Sequence, residues 1–441
     1  MKKLSITLIV AFSICFIGVR YCFGNGVYVD GIGTVSNSRG GTNIAHSDNG
    51  SVIHDNPSAL TAIEGKRFEG NFDFLISPVH YQDPENDKDG KNHLFFLPSF
   101  SYSQKITRRP FGIGIGVFSP AGFSTEYRLN PPDLPNPGFL YGRQKYASDA
   151  SLTKILMAAG WQITDKWSVG LGVGPAYSKA SFQELHFFQT GPLAGAPVLI
   201  DMNGDDWAMA WNMGVQWRIS ESTTLGLAYV NQDRFHLSGD LDLRIDPAVI
   251  AGAGLPPLTN STAHYHAKCD FQWPQTLGIG IRHQFQTKHT FSTDIVWIDW
   301  SSAFDELTFK LSDGDNSDLN TAVGGSSVQD TIPLHWKDSY AFRLGYEYLL
   351  APADTLRLGY SYNQNPVPDS TLTPIIPGIL THMVSFGYGH DWDNWALNAA
   401  YVYSFGPRQS VSTSEIIGGD YDQSSVKVSA HFLSAGIQYQ F

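Results

Sequence analysis

The sharpest periodicity in the chain lies at its end. Leu433, Ala435, Ile437, Tyr439 and Phe441 occupy alternate positions, with Ser434, Gly436, Gln438 and Gln440 between them. Period two over this length gives a strand one apolar and one polar face, and lets it cross the hydrocarbon of a bilayer at a tilt. Just upstream the apolar set moves to Val426, Val428, Ala430 and Phe432. A bulge, or emergence of the strand into water, would each produce that shift. The same alternation recurs where Tyr340, Phe342, Leu344, Tyr346 and Tyr348 oppose Ala341, Arg343, Gly345 and Glu347. It recurs again over Leu356, Leu358, Tyr360 and Tyr362, and over Trp395, Leu397, Ala399, Tyr401 and Tyr403. A soluble sandwich also alternates, but aromatic residues at the strand ends fit a lipid-facing band better.

The connections predict the topology. Short polar turns fall near 107–109, 164–166, 220–222, 286–288, 351–354 and 391–394. Long segments fall between them, near 77–92, 120–148, 184–205, 238–261, 312–330, 365–377 and 406–426. Six short turns alternating with seven long loops give fourteen strands. Short periplasmic and long extracellular connections are the mark of a transmembrane β-barrel, and an even count returns the C-terminus to the periplasm. The fold expected is therefore all-β, a fourteen-stranded antiparallel transmembrane barrel over residues 66–441. Residues 25–65 precede it, rich in Gly, Ser, Asn and Thr and without alternation. They read either as a free periplasmic tail or as a plug, since so many strands enclose a lumen too wide for side chains alone to fill.

Composition and charge agree with this reading. Lys2 and Lys3 precede an apolar run from Leu4 to Val19, which reads as a secretory signal peptide over residues 1–24. Beyond Asn25 no apolar run approaches the roughly 18 residues of a membrane helix. Of three cysteines only Cys269 follows the leader, so no intrachain disulfide is expected. Loss of Lys2, Lys3 and Arg20 takes the formal charge from −12 to −15. Such an acidic chain is a poor partner for nucleic acid, whose binding needs phosphates neutralised. Rich supplies of glycine and aromatics suit barrel strands with interfacial girdles, and the terminal Phe441 is the ending of barrels handed to the outer-membrane assembly machinery. The location expected is the outer membrane of a Gram-negative cell, among phospholipid and lipopolysaccharide, with the chain acting as a monomer.

Four stretches resemble the FadL/TodX (OmpP1) family of outer-membrane transporters for long-chain fatty acids and aromatic hydrocarbons. Ser38-Arg39-Gly40-Gly41-Thr42-Asn43-Ile44-Ala45 with Asp55-Asn56-Pro57-Ser58-Ala59-Leu60 is similar to the family's hatch and its Asn-Pro-Ala motif, with Ser58 in place of Ala. The run from Gly112 to Thr125 resembles the family's third strand. Asp299-Trp300-Ser301-Ser302-Ala303-Phe304-Asp305-Glu306-Leu307 is similar to the family's characteristic Trp-Ser-Ser-Phe strand, and the stretch from Trp336 to Tyr360, with Pro366, carries the resemblance further. The resemblance implies capture of a hydrophobic molecule on extracellular loops, a tighter site in the lumen, movement of the hatch, and sideways exit at a kink in strand three.

Candidate residues follow, each with a plainer alternative. Leu193, Val198, Leu199 and Ile200, with Val249, Ile250 and Leu255 in the next long loop, are apolar where water should demand polarity. Exposed apolar patches mark binding surfaces, so these are candidates for capture; alternatively they pack together to close the barrel mouth. Gly112, Gly114 and Gly116 share one strand face and no helix follows them, which rules against a phosphate loop. Ser119, Pro120 and Gly122 are candidates for the kink, because proline withdraws a ladder donor; an ordinary strand end is the alternative. Asn56, Pro57 and Ser58 form a corner of the hatch. Arg343, Glu347 and Arg357 face away from the aromatics and into the lumen, where they either hold a carboxylate or pair with one another. His264 and His266 share a face without a third ligand, and the acidic loop runs lack the closing glutamate of a calcium loop, so no metal or other cofactor is expected. No nucleophilic serine or cysteine stands in a catalytic signature, so an enzyme is disfavoured. The reading is a channel for uptake of hydrophobic molecules; the alternative is a general porin or a structural, adhesive barrel.

Overall fold

The computed structural model describes residues 26–106, 109–132, 141–191, 193–419 and 421–441. The expected signal peptide lies outside these residues. Fourteen strands cross the barrel: β1 (Lys66–Ile76), β2 (Leu94–Lys105), β3 (Phe111–Leu129), β4 (Gln144–Gln162), β5 (Trp167–Phe187) and β6 (Pro197–Ser220) are followed by four interrupted strands. These are β7 (Thr223–Val230, then Asp233–Arg244), β8 (Thr262–Trp273, then Thr276–Phe285), β9 (His289–Ile298, then Glu306–Ser312) and β10 (Val328–Pro333, then Ser339–Ala351). The last four are β11 (Asp354–Asn363), β12 (His382–Asp391), β13 (Trp395–Phe405) and β14 (Ser425–Gln440). Every neighbouring pair is antiparallel, and β14 pairs back on β1 from Arg67↔Gln440 to Ile76↔His431, which closes the cylinder. Closure pairs the strand edges inside the membrane, where an unpaired backbone group has no water to turn to, except along the upper part of β2 and β3.

The short turns lie where the alternation of the sequence put them, at 286–288 and 392–394 for example. The long loops are shorter than expected. The segment read as 120–148 is strand up to Leu129 and again from Gln144, and 184–205 is strand except for 188–196. β3 to β6 therefore continue well beyond the membrane as hydrogen-bonded ribbons. Val198, Leu199 and Ile200 accordingly sit in β6 and not in a loop, a correction to their expected position.

The apparent register shift at the end of the chain has a simple origin. β14 pairs with β13 without a bulge from Phe405↔Ser429 to Trp395↔Tyr439. Val426, Val428 and Ala430 are buried, as is Ser434 on the same side of the strand, whereas Leu433 and Phe441 on the other side are 61% and 67% exposed. The strand never changes register. In its lower half the outward side is apolar and faces lipid; in its upper half the inward side is apolar and faces a packed interior. β6 does the same, with Val198 and Met202 buried inside and Trp207 and Met209 exposed outside.

Phe68, Phe96, Phe100, Ile113, Ile115, Met157, Trp161, Leu171, Ile279 and Phe291 are all exposed on the same outer wall. A soluble protein does not display so continuous an apolar surface. Around a closed barrel it is the band that meets hydrocarbon.

Candidate functional site

The segment before β1 lies in the lumen, and nearly every residue from Gly31 to Ile63 is buried. It touches the wall on several sides. Thr34 Oγ1 lies 2.8 Å from Ser434 Oγ in β14, and the Thr34 amide donates to Asn71 Oδ1 in β1 at 3.0 Å. The amide of Asn43 donates to Asp294 Oδ2 in β9 at 2.7 Å, and that of Gly50 to Glu69 Oε2 in β1 at 2.7 Å. The wall receives the segment through glycines. A Cβ on Gly112 would strike the Leu60 carbonyl, one on Gly170 the Ser58 amide, and one on Gly214 the Asn56 side chain.

Asn56 shows how the local sequence makes this shape. Its backbone is extended (φ −161°, ψ 91°), as expected before proline, and Pro57 opens a 3-10 helix, Pro57–Ala62. Asn56 Oδ1 caps that helix by accepting from the Ser58 amide at 3.2 Å and from the Ser58 hydroxyl. Its Nδ2 donates to the Ile44 carbonyl at 2.8 Å and to the Val215 carbonyl of β6 at 3.3 Å. Serine in place of alanine at position 58 thus adds a second donor to the cap.

A charged knot fastens the centre of the segment. Arg39 is fully buried; it donates to both carboxylate oxygens of Asp48 at 2.6 and 2.9 Å, to Asn43 Oδ1 at 2.8 Å and to Glu347 Oε1 in β10 at 3.3 Å. Glu347 also accepts from Arg357 Nε of β11 at 2.8 Å, and Arg357 donates onward to Asn398 at 2.9 Å. Arg343 does not join this pair. It reaches the segment itself, donating to the Gly41 carbonyl at 3.4 Å with Nε 4.0 Å from Asp30. His46 Nδ1 stands 3.7 Å from Asp48 and 3.9 Å from Glu347, so three potential metal ligands converge here. The guanidinium of Arg39 already supplies the positive charge among them. Burial favours the carboxylic acid form of Asp48, yet the charge of Arg39 beside it holds its pKa well below the usual carboxylate range. Burial, helped by the charge of Arg39, pushes His46 below its ordinary value.

The kink expected at Ser119, Pro120 and Gly122 lies inside β3, not at its end. Pairing with β4 jumps from Phe118↔Lys154 to Ala121↔Leu152, so Ser119 and Pro120 bulge. On the other side, β2 pairs with β3 only from Lys105↔Gly112 to Phe100↔Val117. Above that level the two strands part. Residues 27–29 cover the gap from inside: the Val29 amide donates to the Pro120 carbonyl at 3.0 Å, that of Gly122 to the Val27 carbonyl at 3.1 Å, and Tyr28 bridges Ala121. Tyr28 also reaches across the lumen to the interruptions of β8 and β9. Its ring centroid lies 5.6 Å from Trp300 and its hydroxyl donates to the Pro274 carbonyl at 3.1 Å. There Phe271, Trp273, Trp300 and Phe304 form a buried aromatic cluster. A cavity of about 440 Å³ opens at the gap, lined by Val27, Tyr28, Phe95, Leu97, Ser119, Gly122, Phe123 and Phe432 among others.

The loop candidates are mostly not exposed. Leu193, Val198, Ile200, Val249 and Ile250 are buried, and Leu199 and Leu255 are half-buried. Apart from Leu199, which lies on the outward side of β6, they pack into the barrel's upper half, whose two sides are tied by Tyr141: it donates to the Pro197 carbonyl at 2.8 Å and accepts from the Asp246 amide at 2.8 Å. The premise of an exposed apolar patch is therefore corrected.

The chain matches the family model described as outer membrane protein transport protein (OMPP1/FadL/TodX) over residues 23–441. The chain belongs to this family. The FadL/TodX likeness extends through the fold. A Pseudomonas aeruginosa FadL homologue superposes with a TM-score of 0.77 at 20% identity, covering 94% of this chain and 100% of that one. The Pseudomonas putida toluene transporter TodX gives 0.74 at 18% identity, covering 94% and 99%. In sequence, a long-chain fatty acid transport protein of Escherichia coli is 22% identical over 87% of this chain and 84% of its own length. As a FadL/TodX protein the chain is a multi-pass outer-membrane channel for hydrophobic molecules, set in lipid and lipopolysaccharide, and not an enzyme.

Two features of the site escape sequence reasoning. Arg39 and Glu347 meet across 308 positions, and no local pattern announces such a pair. The ion pair of Lys154 Nζ with Asp233, 2.6 Å apart and fully buried, is the other. Lys154 had a signal, however, as a charge on the side of β4 that otherwise carries Tyr146, Ala150 and Leu152.

Proposed function

We propose that hydrophobic molecules enter from the extracellular end, pass the apolar upper barrel, and leave sideways between β2 and β3 when residues 27–29 withdraw from the kink. The observation that carries this reading is the parted upper half of β2 and β3, covered by residues 27–29 through one isolated bridge and fronted by an apolar cavity. An unpaired strand edge at membrane level is costly unless something covers it. A cover made of a few backbone hydrogen bonds is displaceable, whereas a complete β2–β3 ladder would not be. Residues 26–65 act as the hatch in this reading, with Asn56, Pro57 and Ser58 giving it a fixed corner. Leu193, Val198, Ile200, Val249 and Ile250 serve as the apolar lining of the entry and not as an open capture groove; Leu199 and Leu255 border it. The long-chain fatty acid transport proteins and the toluene transporter among its relatives support a ligand of that general kind.

A reversible lock tests the gate. Tyr28 and Ala121 are bridge partners, a separation that suits a disulfide. In the Tyr28→Cys/Ala121→Cys double variant, oxidation is expected to stop uptake of a labelled hydrocarbon or fatty acid by whole cells, and dithiothreitol to restore it. Undiminished uptake by the oxidised protein would refute lateral exit at this kink.

A further inference from the structure

Resting on that reading of the cavity at the gap, the charges around it narrow what it accepts. Among the described residues its lining contains no lysine or arginine. It contains two carboxylates, Asp30 on the hatch side and Asp149 on β4. Its other polar groups are neutral and include Asn37, Ser119, Ser124, Thr125 and Asn363, with His382 at one side.

The buried cations near this lining already face carboxylates. Lys154 adjoins the lining residue Thr153, but its Nζ lies 2.6 Å from Asp233, both side chains being essentially inaccessible. Arg343 directs Nε toward Asp30 at 4.0 Å and Nη1 to the Gly41 carbonyl. Lys179 lies 3.8 Å from Asp149 on the outer surface, with over half its side chain in solvent. Arg39 and Arg357 are held by Asp48 and Glu347. Asp30 itself accepts from Ser361 Oγ at 3.1 Å and from Asn363 Nδ2 at 3.0 Å, so it is built into the site as an acceptor.

A fatty carboxylate entering this space would leave water without meeting a free cation, and would face the carboxylate of Asp30, since Asp149 turns outward to Lys179. Burying a charge without a partner is among the most expensive events in a protein interior. A hydroxyl head group would meet no such penalty, because serine, threonine and asparagine side chains surround it. We infer that the cavity takes uncharged molecules, a hydrocarbon or an alkyl or aryl body bearing a hydroxyl, and selects against carboxylate anions.

The test compares dodecan-1-ol with dodecanoate, which share a chain and differ in head-group charge. Binding to the full barrel in lipid nanodiscs is measured at pH 7.5 by calorimetry, with empty nanodiscs as the blank. Dodecan-1-ol is expected to bind at least about tenfold more tightly, a difference near 1.4 kcal/mol. Ser119→Lys, which adds a cation to the lining, and Asp30→Asn, which removes a carboxylate with little change of shape, should each narrow the ratio. Dodecanoate binding as tightly as dodecan-1-ol would overturn the inference and leave the gate reading standing. A preference that neither variant moves would also overturn it, by placing the selectivity outside this cavity. Failure of both molecules to bind would overturn the reading of the cavity as a ligand site, and the inference with it.

Discussion

Arg39→Ala is the most informative single change, because one side chain links the hatch to the wall. Arg39 makes five hydrogen bonds, to Thr42, Asn43, both oxygens of Asp48 and Glu347. Breaking a buried ion pair by removing one partner costs about 3–5 kcal/mol. Two features bring the figure down here. Glu347 keeps Arg357 at 2.8 Å, and the Asp48 side chain is 44% exposed although the protein surrounds it. Solvent screening makes the Asp48 share small, so a loss of about 2–3 kcal/mol in hatch docking is expected. That corresponds to roughly a 30- to 160-fold rise in the undocked population. Planar-bilayer recording should show brief openings that the parent protein lacks. Hydrogen exchange should quicken across residues 34–62 while the strands stay protected. Arg39→Lys, which retains charge without the bidentate geometry, should fall between the two. A variant as quiet and as slowly exchanging as the parent would refute the idea that this knot fastens the hatch.

Other expectations follow from the same geometry. His46 is buried, both its ring nitrogens lack hydrogen-bond partners, and its pKa is lowered, so docking favours the neutral ring. A lowered histidine pKa makes the undocked state take up the proton first. Docking is therefore complete above about pH 6.5 and weakens as pH falls below it, by at most about 1.4 kcal/mol per unit; opening frequency between pH 7.5 and 5.5 measures this, and His46→Gln should flatten the profile. Gly170→Val should unseat the 3-10 helix by driving a side chain into the Ser58 backbone, costing about 1–3 kcal/mol, visible as faster exchange of residues 57–62. Asn56→Ala removes the cap and the bonds to Ile44 and Val215, for a loss of about 1–2 kcal/mol read by the same exchange. Deletion of 26–59 should make the barrel conduct small sugars in liposome swelling, which the intact protein should not.

Much of the architecture was legible in the chain because it is local. Alternation and turn residues repeat within windows of about ten residues, so strand number and the short turns could be read directly. The extent of the loops could not. Above the membrane β3 to β6 keep their hydrogen bonds, but their outward faces carry Glu126, Lys179 and Asp205, and a polar strand in water looks like a loop. For the same reason Ser119 and Pro120, midway along β3, resembled a strand end. Val198 and Val249 looked exposed because the upper barrel that buries them is invisible locally. Asn56-Pro57-Ser58 was readable as a corner, since proline acts on its own neighbours; its seat against Gly170 and Gly214 was not. The contacts of Arg39 and Lys154 join residues far apart in sequence, which periodicity does not report.

The change of apolar side along β14 has a consequence for how the molecule sits in its bilayer. The boundary lies between Phe432 and Leu433 on that strand and between Met202 and Trp207 on β6. Below it, the outward apolar residues of β14 run from Leu433 to Phe441, a rise of about 26 Å along the strand and about 20 Å along the membrane normal at a barrel strand's tilt. Sliding the protein outward would expose this band to water. Sliding it inward would drag the charged ribbons of β3 to β6 into hydrocarbon. The chain thus carries its own depth gauge, set by the level at which its apolar side chains change sides.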